Sequence, residues 1–148
     1  MELQKRIALV AHDNKKRDLL EWAEYNKSLL AMHEVYATGT TGKLLEQQLG
    51  IEVHKLKSGP LGGDQQIGAL IASEEVNAVI FLRDPLMAHP HEPDVSALLR
   101  VCDVHNVPLA TNLATAEAVL HLLAEHPEAL GRHQLAARFI EEIVANHE

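Results

Sequence analysis

Residues 78–82 read Ala-Val-Ile-Phe-Leu, five consecutive apolar side chains between Asn77 and Arg83. A short run without polar alternation is typical of a strand that is buried on both faces, as in a parallel sheet. Residues 7–11, Ile-Ala-Leu-Val-Ala, form a second run of the same kind. Together the two runs predict central strands of a sheet that is covered by helices on both sides.

Strands and helices alternate along the rest of the sequence. Five strands are predicted at 7–11, 34–37, 52–57, 78–82 and 108–111. Helices are predicted from Asp13 or Asn14 to Leu29, from a Thr41 cap to Gly50, and at about 65–73, 94–105, 115–124 and 134–145. This alternation favours a parallel sheet with right-handed crossovers. We therefore predict a single α/β domain over residues 1–148, a doubly wound five-stranded parallel sheet of flavodoxin or Rossmann type with helices on both faces.

Composition excludes several classes of function. The 148 residues carry a formal net charge of −8, which argues against a broad nucleic-acid footprint. No apolar run approaches the ~20 residues of a membrane span, and the charged N-terminus is unlike a signal peptide. The single cysteine, Cys102, leaves no intrachain disulfide and is read as a core residue. A cytoplasmic protein with no nucleic-acid or membrane partner is expected.

The residues that carry chemistry follow the five predicted strands. They lie at His12–Asp13, Thr38–Gly42, Ser58–Asp64, Asp84–Asp94 and Thr111–Asn112. In an open parallel sheet, loops after the strands share the edge at which doubly wound proteins bind ligands. Five such loops at one edge predict a ligand site there.

The Thr38-Gly39-Thr40-Thr41 stretch has the composition of a phosphate cradle. Glycine permits close backbone approach, the hydroxyls donate hydrogen bonds, and a following helix presents free N–H groups. Ser58-Gly59 offers the same chemistry from the next loop, and Lys16 is either a point charge for the same anion or a solvated lysine. Neither GxxxxGK[ST] nor GxGxxG occurs, which disfavours nucleotide binding.

Asp64 follows two glycines at a predicted helix start. A carboxylate there serves either as an N-cap or as a proton-transfer group. Three further carboxylates, Asp13, Asp84 and Asp94, belong to the same edge. Carboxylates beside a phosphate site are costly unless they transfer protons or accept hydrogen bonds, so both readings of Asp64 stay open at this point.

His89, His91 and Asp94 raise the alternative of a metal site, because imidazole and carboxylate are common ligands. Their spacing matches no familiar metal motif, and the intervening prolines predict an extended loop. We favour a site without metal, and chelator sensitivity distinguishes the two.

The combination of these segments resembles the methylglyoxal synthase family. The resemblance runs from about residue 6 to residue 120 and rests on six segments, at 8–13, 36–42, 58–66, 84–86, 90–95 and 110–112. Gly62-Gly63-Asp64-Gln65-Gln66 and Pro90-His91-Glu92-Pro93-Asp94 are the most specific segments. The roles of Arg83 and Arg100 stay open.

The resemblance implies a lyase that converts dihydroxyacetone phosphate to methylglyoxal and inorganic phosphate without metal or organic cofactor. It further implies a homohexamer in the bacterial cytoplasm. Because the phosphate site consists of backbone amides, hydroxyls and one lysine, we expect the product phosphate to inhibit. Asp64 would be the catalytic base, with His91 and Asp94 in the catalytic group. The resemblance assigns the substrate phosphate to Lys16, Thr38, Gly39, Thr40, Thr41, Ser58 and Gly59. His12 and His91 would contact the substrate oxygens, and Asp13 and Asp84 would be supporting carboxylates.

The chosen chemistry needs a base beside a ketone and donors at the oxygen where negative charge grows. The principal alternative is a non-catalytic regulatory module of the same fold, such as the effector-binding domain of carbamoyl phosphate synthetase. The presence of both specific segments favours the enzyme.

Overall fold

Five parallel strands form one sheet in the computed structural model. The structure describes residues 5–57, 63–86, 92–126 and 143–146, and describes residues 64 and 92–94 by their backbone alone. The strands are β1 (Arg6–Ala11), β2 (Glu34–Thr38), β3 (Val53–Leu56), β4 (Ala78–Leu82) and β5 (Leu109–Ala110). The predicted five-stranded α/β sheet is confirmed.

The strand order is β3-β2-β1-β4-β5, the Rossmann type of doubly wound order. β1 is central: Ile7 is in register with Val35 of β2 on one side and with Ala78 of β4 on the other. The chain winds outward through β2 and β3 and then returns to the far side of β1. Strand order therefore reverses between β1 and β4, which opens a crevice at the carboxyl ends of these two strands.

Helices connect the strands and cover both faces. A 3-10 turn (Asp13–Lys15) leads into α1 (Lys16–Tyr25) and α2 (Lys27–Leu30), followed by α3 (Gly39–Leu49), α4 (Gly63–Ala72), α5 (Glu92–Val104) and α6 (Leu113–Glu125). Residues 143–146 are also helical. Among the described residues, no helix combines the length and apolarity that crossing a membrane requires.

Alternate side chains of β1 enter two separate cores. Leu9 packs on the side of α1, α3 and α6, with Leu19 of α1 and Leu120 of α6. Val10 packs on the side of α4 and α5, together with Cys102. Cys102 is fully buried, as expected, and burial raises the pKa of its thiol to about 12. A strand with apolar side chains on both faces explains why the runs at 7–11 and 78–82 lack polar alternation.

Helices α4, α5 and α6 each begin two residues earlier than the sequence predicts. Two larger differences concern the earlier helices. The first helix, predicted to continue to Leu29, is interrupted at Asn26, whose side-chain amide donates to the Trp22 carbonyl at 3.1 Å. The helix that was predicted to start from a Thr41 cap is α3, which begins at Gly39 after an N-cap at Thr38. Thr41 therefore lies inside the helix and is buried. Its C-terminal prediction was right, because Gly50 caps α3 in the left-handed conformation at φ 67°. Most of the predicted helix at 134–145 lies outside the described residues.

Candidate active site

His12 and Asp84 meet in the crevice where the strand order reverses. His12 directly follows β1, and its backbone N–H donates to the Leu82 carbonyl at the end of β4 at 3.1 Å. The Asp84 backbone N–H donates in return to His12 Nδ1 at 2.9 Å. Both side chains are buried. Two predicted site residues, 72 positions apart in sequence, therefore lie side by side at this edge of the sheet.

The hydrogen bond to Nδ1 fixes which nitrogen of His12 carries the proton. A neutral imidazole has one donor nitrogen and one acceptor nitrogen, and Nδ1 is the acceptor here. The proton therefore lies on Nε2. In this tautomer Nδ1 accepts from Asp84 and Nε2 is the nitrogen that can donate to a ligand. The ring is further held edge-on to Phe81, with centroids 5.3 Å apart.

The Asp84 carboxylate is held by groups from two loops. Oδ1 accepts the Leu86 backbone N–H at 3.1 Å. Oδ2 accepts a hydrogen bond from the side-chain amide of Asn14, in the turn after β1. These contacts compensate a buried carboxylate for its lost hydration. Sequence analysis considered Asn14 only as a helix cap, and its contact with Asp84 is a tertiary one that no local pattern signals.

The threonine-rich stretch forms the start of α3. Thr38 is the N-cap residue in extended conformation, and its side chain makes no capping hydrogen bond within the described part of the chain. First-turn N–H groups of a helix have no partner inside the helix, so they are available to an anion at this end. Gly39 is partly buried and Thr40 is exposed. Thr41 is 2% exposed, and its buried Oγ1 has no hydrogen-bond partner among the described residues.

Lys16, the first residue of α1, points back to the carboxyl end of β1. Its Nζ donates to the Ala11 carbonyl at 3.1 Å and to Asp13 Oδ1 at 2.8 Å. The Lys16 side chain is only 18% exposed, whereas that of Asp13 is fully exposed. The lysine is therefore anchored at the strand end, and the solvated-lysine interpretation is wrong for this conformation.

The start of α4 is packed tightly against the ends of β2 and β3. A Cβ at Gly63 would lie 2.0 Å from the Lys57 carbonyl oxygen and 2.8 Å from Thr38 Cγ2, so only glycine fits. The Lys57 backbone N–H donates to Gln66 Oε1 at 2.7 Å, which ties α4 to the same strand end. Asp64, the second residue of α4, therefore follows directly after a glycine that lies close to the Thr38 side chain. Sequence analysis gave Gln66 no role.

The remaining predicted site residues are described only partly or not at all. Ser58, Gly59, His89 and His91 lie outside the described residues. Asp94 is the third residue of α5, described by its backbone alone. Within the ranges that the structure describes, no three His, Cys, Asp or Glu side chains are grouped so as to hold a metal ion. The trio His89, His91 and Asp94 is untested by this observation.

Comparison with known proteins gives a consistent result. The family model of the MGS-like domain matches residues 18–111. A methylglyoxal synthase of Moorella thermoacetica is 59% identical over 122 residues, which are 82% of this chain and 95% of the relative. The chain belongs to the methylglyoxal synthase family. The methylglyoxal synthase of Caldicellulosiruptor saccharolyticus is 61% identical over 117 residues, covering 79% of this chain and 83% of the relative.

A solved structure agrees with the family assignment. The crystal structure of methylglyoxal synthase from Elizabethkingia anophelis NUHP1 superposes with a TM-score of 0.76 at 52% identity, covering 80% of this chain and 78% of that chain. The predicted family is therefore confirmed, and so is the fold that the methylglyoxal synthase resemblance implied.

Proposed function

We propose that this chain is a lyase that converts dihydroxyacetone phosphate to methylglyoxal and inorganic phosphate. The observation that carries the proposal is the close fit at Gly63, where a Cβ would lie 2.8 Å from Thr38 Cγ2, so that the helix start bearing Asp64 lies near the threonine-rich turn. This proximity supports the pairing of a base with a phosphate cradle that the reaction requires. The relatives named methylglyoxal synthase, 59% and 61% identical, support the same reaction.

The substrate phosphate is held by largely neutral donors in this proposal. The binding group comprises Lys16, Thr38, Gly39, Thr40, Thr41, Ser58 and Gly59. The Thr41 hydroxyl, which has no hydrogen-bond partner among the described residues, and the first-turn N–H groups of α3 are suited to phosphate oxygens. Lys16 supplies one positive charge in a protein of net charge −8, so the anion is bound by local groups against the overall field.

Asp64 removes the proton beside the ketone, and donors stabilise the resulting enediolate. His12 donates through Nε2, and His91 contacts the substrate oxygens as a second donor. One well-placed donor of this kind is worth roughly 2.7–4 kcal/mol of transition-state stabilisation. Asp94 acts within the catalytic group. Asp84 holds His12 in its donor tautomer, while Asp13 keeps Lys16 at the strand end.

Phosphate then leaves from the enediolate. Breaking the C–O bond is easiest when that bond stands perpendicular to the enediolate plane, because its orbital then overlaps the π system. A cradle that fixes the phosphate therefore determines whether elimination or simple isomerisation follows. Released phosphate fits the same cradle, so we expect it to inhibit. We further propose that residues 1–148 act as one domain of a cytoplasmic homohexamer and need no metal.

The Asp64→Asn variant tests the assignment of the base. Asparagine keeps the size of the side chain but cannot accept the proton, so we expect turnover of dihydroxyacetone phosphate to fall by at least about a hundredfold. Binding of inorganic phosphate, measured by calorimetry, should persist. Retention of a tenth of the activity would count against Asp64.

A chelator control addresses the metal-dependent alternative built on His89, His91 and Asp94. Activity is measured before and after dialysis against EDTA. We expect no change in activity. A loss of activity that added metal restores would favour the metal-dependent alternative.

A further inference from the structure

A cavity of about 510 Å³ opens at the carboxyl ends of β4 and β5. Its polar lining consists of Lys15, Asp18, Arg83, Thr111 and Asn112. None of these residues has a role in the lyase site proposed above. The volume lies within the range of about 300–1,000 Å³ that is common for small-molecule sites.

The turn after β4 separates this cavity from the lyase site. Arg83 and Pro85 line the cavity. Asp84, between them, instead bonds to His12 and Asn14. Consecutive residues of this turn thus contact two different regions.

The charges of the cavity favour an anion. Among the described lining residues, Lys15 and Arg83 outnumber Asp18, so this part of the lining is net positive in a protein of net charge −8. A guanidinium presents paired N–H donors that match the oxygens of a phosphate. Locally concentrated positive charge in an acidic protein offsets the repulsion that an incoming anion meets elsewhere.

The start of α6, which lines the cavity with Asn112, adds neutral donors. Asn112 is the N-cap of α6, where its Oδ1 accepts the Thr115 N–H at 2.9 Å. The cap satisfies one first-turn N–H of α6 and leaves others at the same helix end, and Thr111 also lines the cavity. These donors supplement the two cations, Lys15 and Arg83, as hydrogen-bond partners for an anion.

The cavity also has an apolar part. Leu82, Pro85 and Leu113 are its apolar lining residues within the described part of the chain. Inorganic phosphate is too small to fill the cavity or to contact this wall as well as the cations. The lining therefore suits a phosphate group with an organic body attached.

We propose that this cavity is a second binding site, for a small phosphate monoester. Its phosphate group binds to Lys15, Arg83 and the start of α6, and its body packs on Leu113 and Pro85. The site is separate from the lyase centre and does not depend on the proposed reaction.

Equilibrium dialysis with radiolabelled inorganic phosphate counts the sites on the full chain. We expect two phosphates per chain, and one after the double change Lys15→Ala and Arg83→Ala. Losing a charged hydrogen-bond donor weakens phosphate binding by about tenfold or more for each cation. The matched control, Arg17→Ala with Lys27→Ala, removes the same charge from exposed positions and should retain both sites. Phosphate binding that is wholly insensitive to the Lys15 and Arg83 changes overturns the proposal, whether the wild type binds one phosphate or two.

A second variant tests the same site independently, so that the result does not depend on the folding of the double variant. Leu113 is 40% exposed, so Leu113→Glu is compatible with folding and puts a negative charge beside the cavity. It should abolish the same phosphate site. Phenyl phosphate should compete for this site at lower concentrations than unlabelled inorganic phosphate; equal potency overturns the assignment to an ester. Failure to form methylglyoxal would refute the lyase but leave the Lys15- and Arg83-dependent site intact, so the two failures are distinguishable.

Discussion

The hydroxyl of Thr41 is buried at the start of α3 without a hydrogen-bond partner among the described residues. Such a group destabilises the empty protein, and a phosphate oxygen would satisfy it. We expect Thr41→Val, which keeps the shape, to weaken phosphate binding by about tenfold, the value of one hydrogen bond to a charged acceptor. The free energy of unfolding should be unchanged or higher. Calorimetry and urea titration measure the two quantities.

Thr41→Ser serves as the control for this prediction, because it retains the hydroxyl and should retain most of the affinity. Unchanged phosphate binding in the valine variant would show that the Thr41 hydroxyl does not face the ligand.

At this scale the sequence predicts residue types better than their partners. Asp84 and His12 were expected at one edge of the sheet, and they lie there. The contact from Asn14 to Asp84 spans 70 positions and depends on the neighbouring placement of β1 and β4. Gln66 bonds to the Lys57 backbone in the same way, through a fold contact. A single sequence carries no local signal for such pairs.

The junction of α4 with the ends of β2 and β3 gives a prediction for an element. A Cβ at position 63 would lie 2.0 Å from the Lys57 carbonyl oxygen, so Gly63→Ala displaces the start of α4. We expect a loss of about 1–3 kcal/mol in unfolding free energy. Turnover should fall by about a hundredfold, because a displacement near 1 Å misaligns the base. Denaturation and steady-state kinetics test both.

The same helix offers a matched control. A Cβ at Gly68 would meet nothing within 4 Å, so Gly68→Ala should raise the unfolding free energy by about 0.5–1 kcal/mol and leave turnover unchanged. Equal behaviour of the two alanine variants would contradict the packing argument.

A polar cluster joins α6 to α1. Glu117 Oε1 accepts from Trp22 Nε1 at 2.9 Å and from Asn26 Nδ2 at 3.0 Å. His121 has a ring nitrogen 3.0 Å from Glu117 and the other 3.0 Å from Glu125. Hydrogen bonds to Glu125 and then Glu117 raise the pKa of His121, since both carboxylates favour the imidazolium. Burial opposes a charged Glu117, but its donors outweigh burial and lower the pKa of Glu117.

The raised pKa of His121 predicts a pH-dependent contribution to stability. The contribution is complete below the unfolded-state pKa of about 6.5 and is lost as pH rises through the higher folded-state pKa. The Tm difference between wild type and His121→Gln should therefore be largest near pH 5.5 and shrink toward pH 9. Calorimetric scans across this range measure it. A difference independent of pH would contradict the imidazolium, and adding Glu125→Gln should reduce the pH dependence.

Element boundaries were predictable where a local signal exists. The predicted bounds of the strand at 78–82 match those of β4, because polar residues flank its apolar run. The interruption of the first helix at Asn26 was not predictable. The Asn26 side-chain amide donates to Glu117, 91 positions away, as well as to Trp22, and no local pattern signals the contact with Glu117. The start of α3 was predicted wrongly. Each of the three threonines in 38–41 has a side chain that can cap a helix, and the N-cap falls on Thr38 because β2 ends there.

At the scale of the molecule, buried strands and alternating helices sufficed to predict the layered α/β architecture. The order β3-β2-β1-β4-β5 was left open, because crossover rules fix handedness but not which side of β1 receives β4. That choice brings Asp84 to His12 and creates the crevice. Despite the acidic net charge, Lys16 brings one positive charge to the carboxyl end of β1, on the same edge of the sheet as the threonine-rich turn after β2.

The most direct test is to incubate the purified chain with dihydroxyacetone phosphate and to quantify methylglyoxal and inorganic phosphate together. Elimination from an enediolate forms the two products in equal amounts. We predict enzyme-dependent, equimolar formation of both. Folded protein that releases neither product, or that releases phosphate without methylglyoxal, would contradict the proposed lyase.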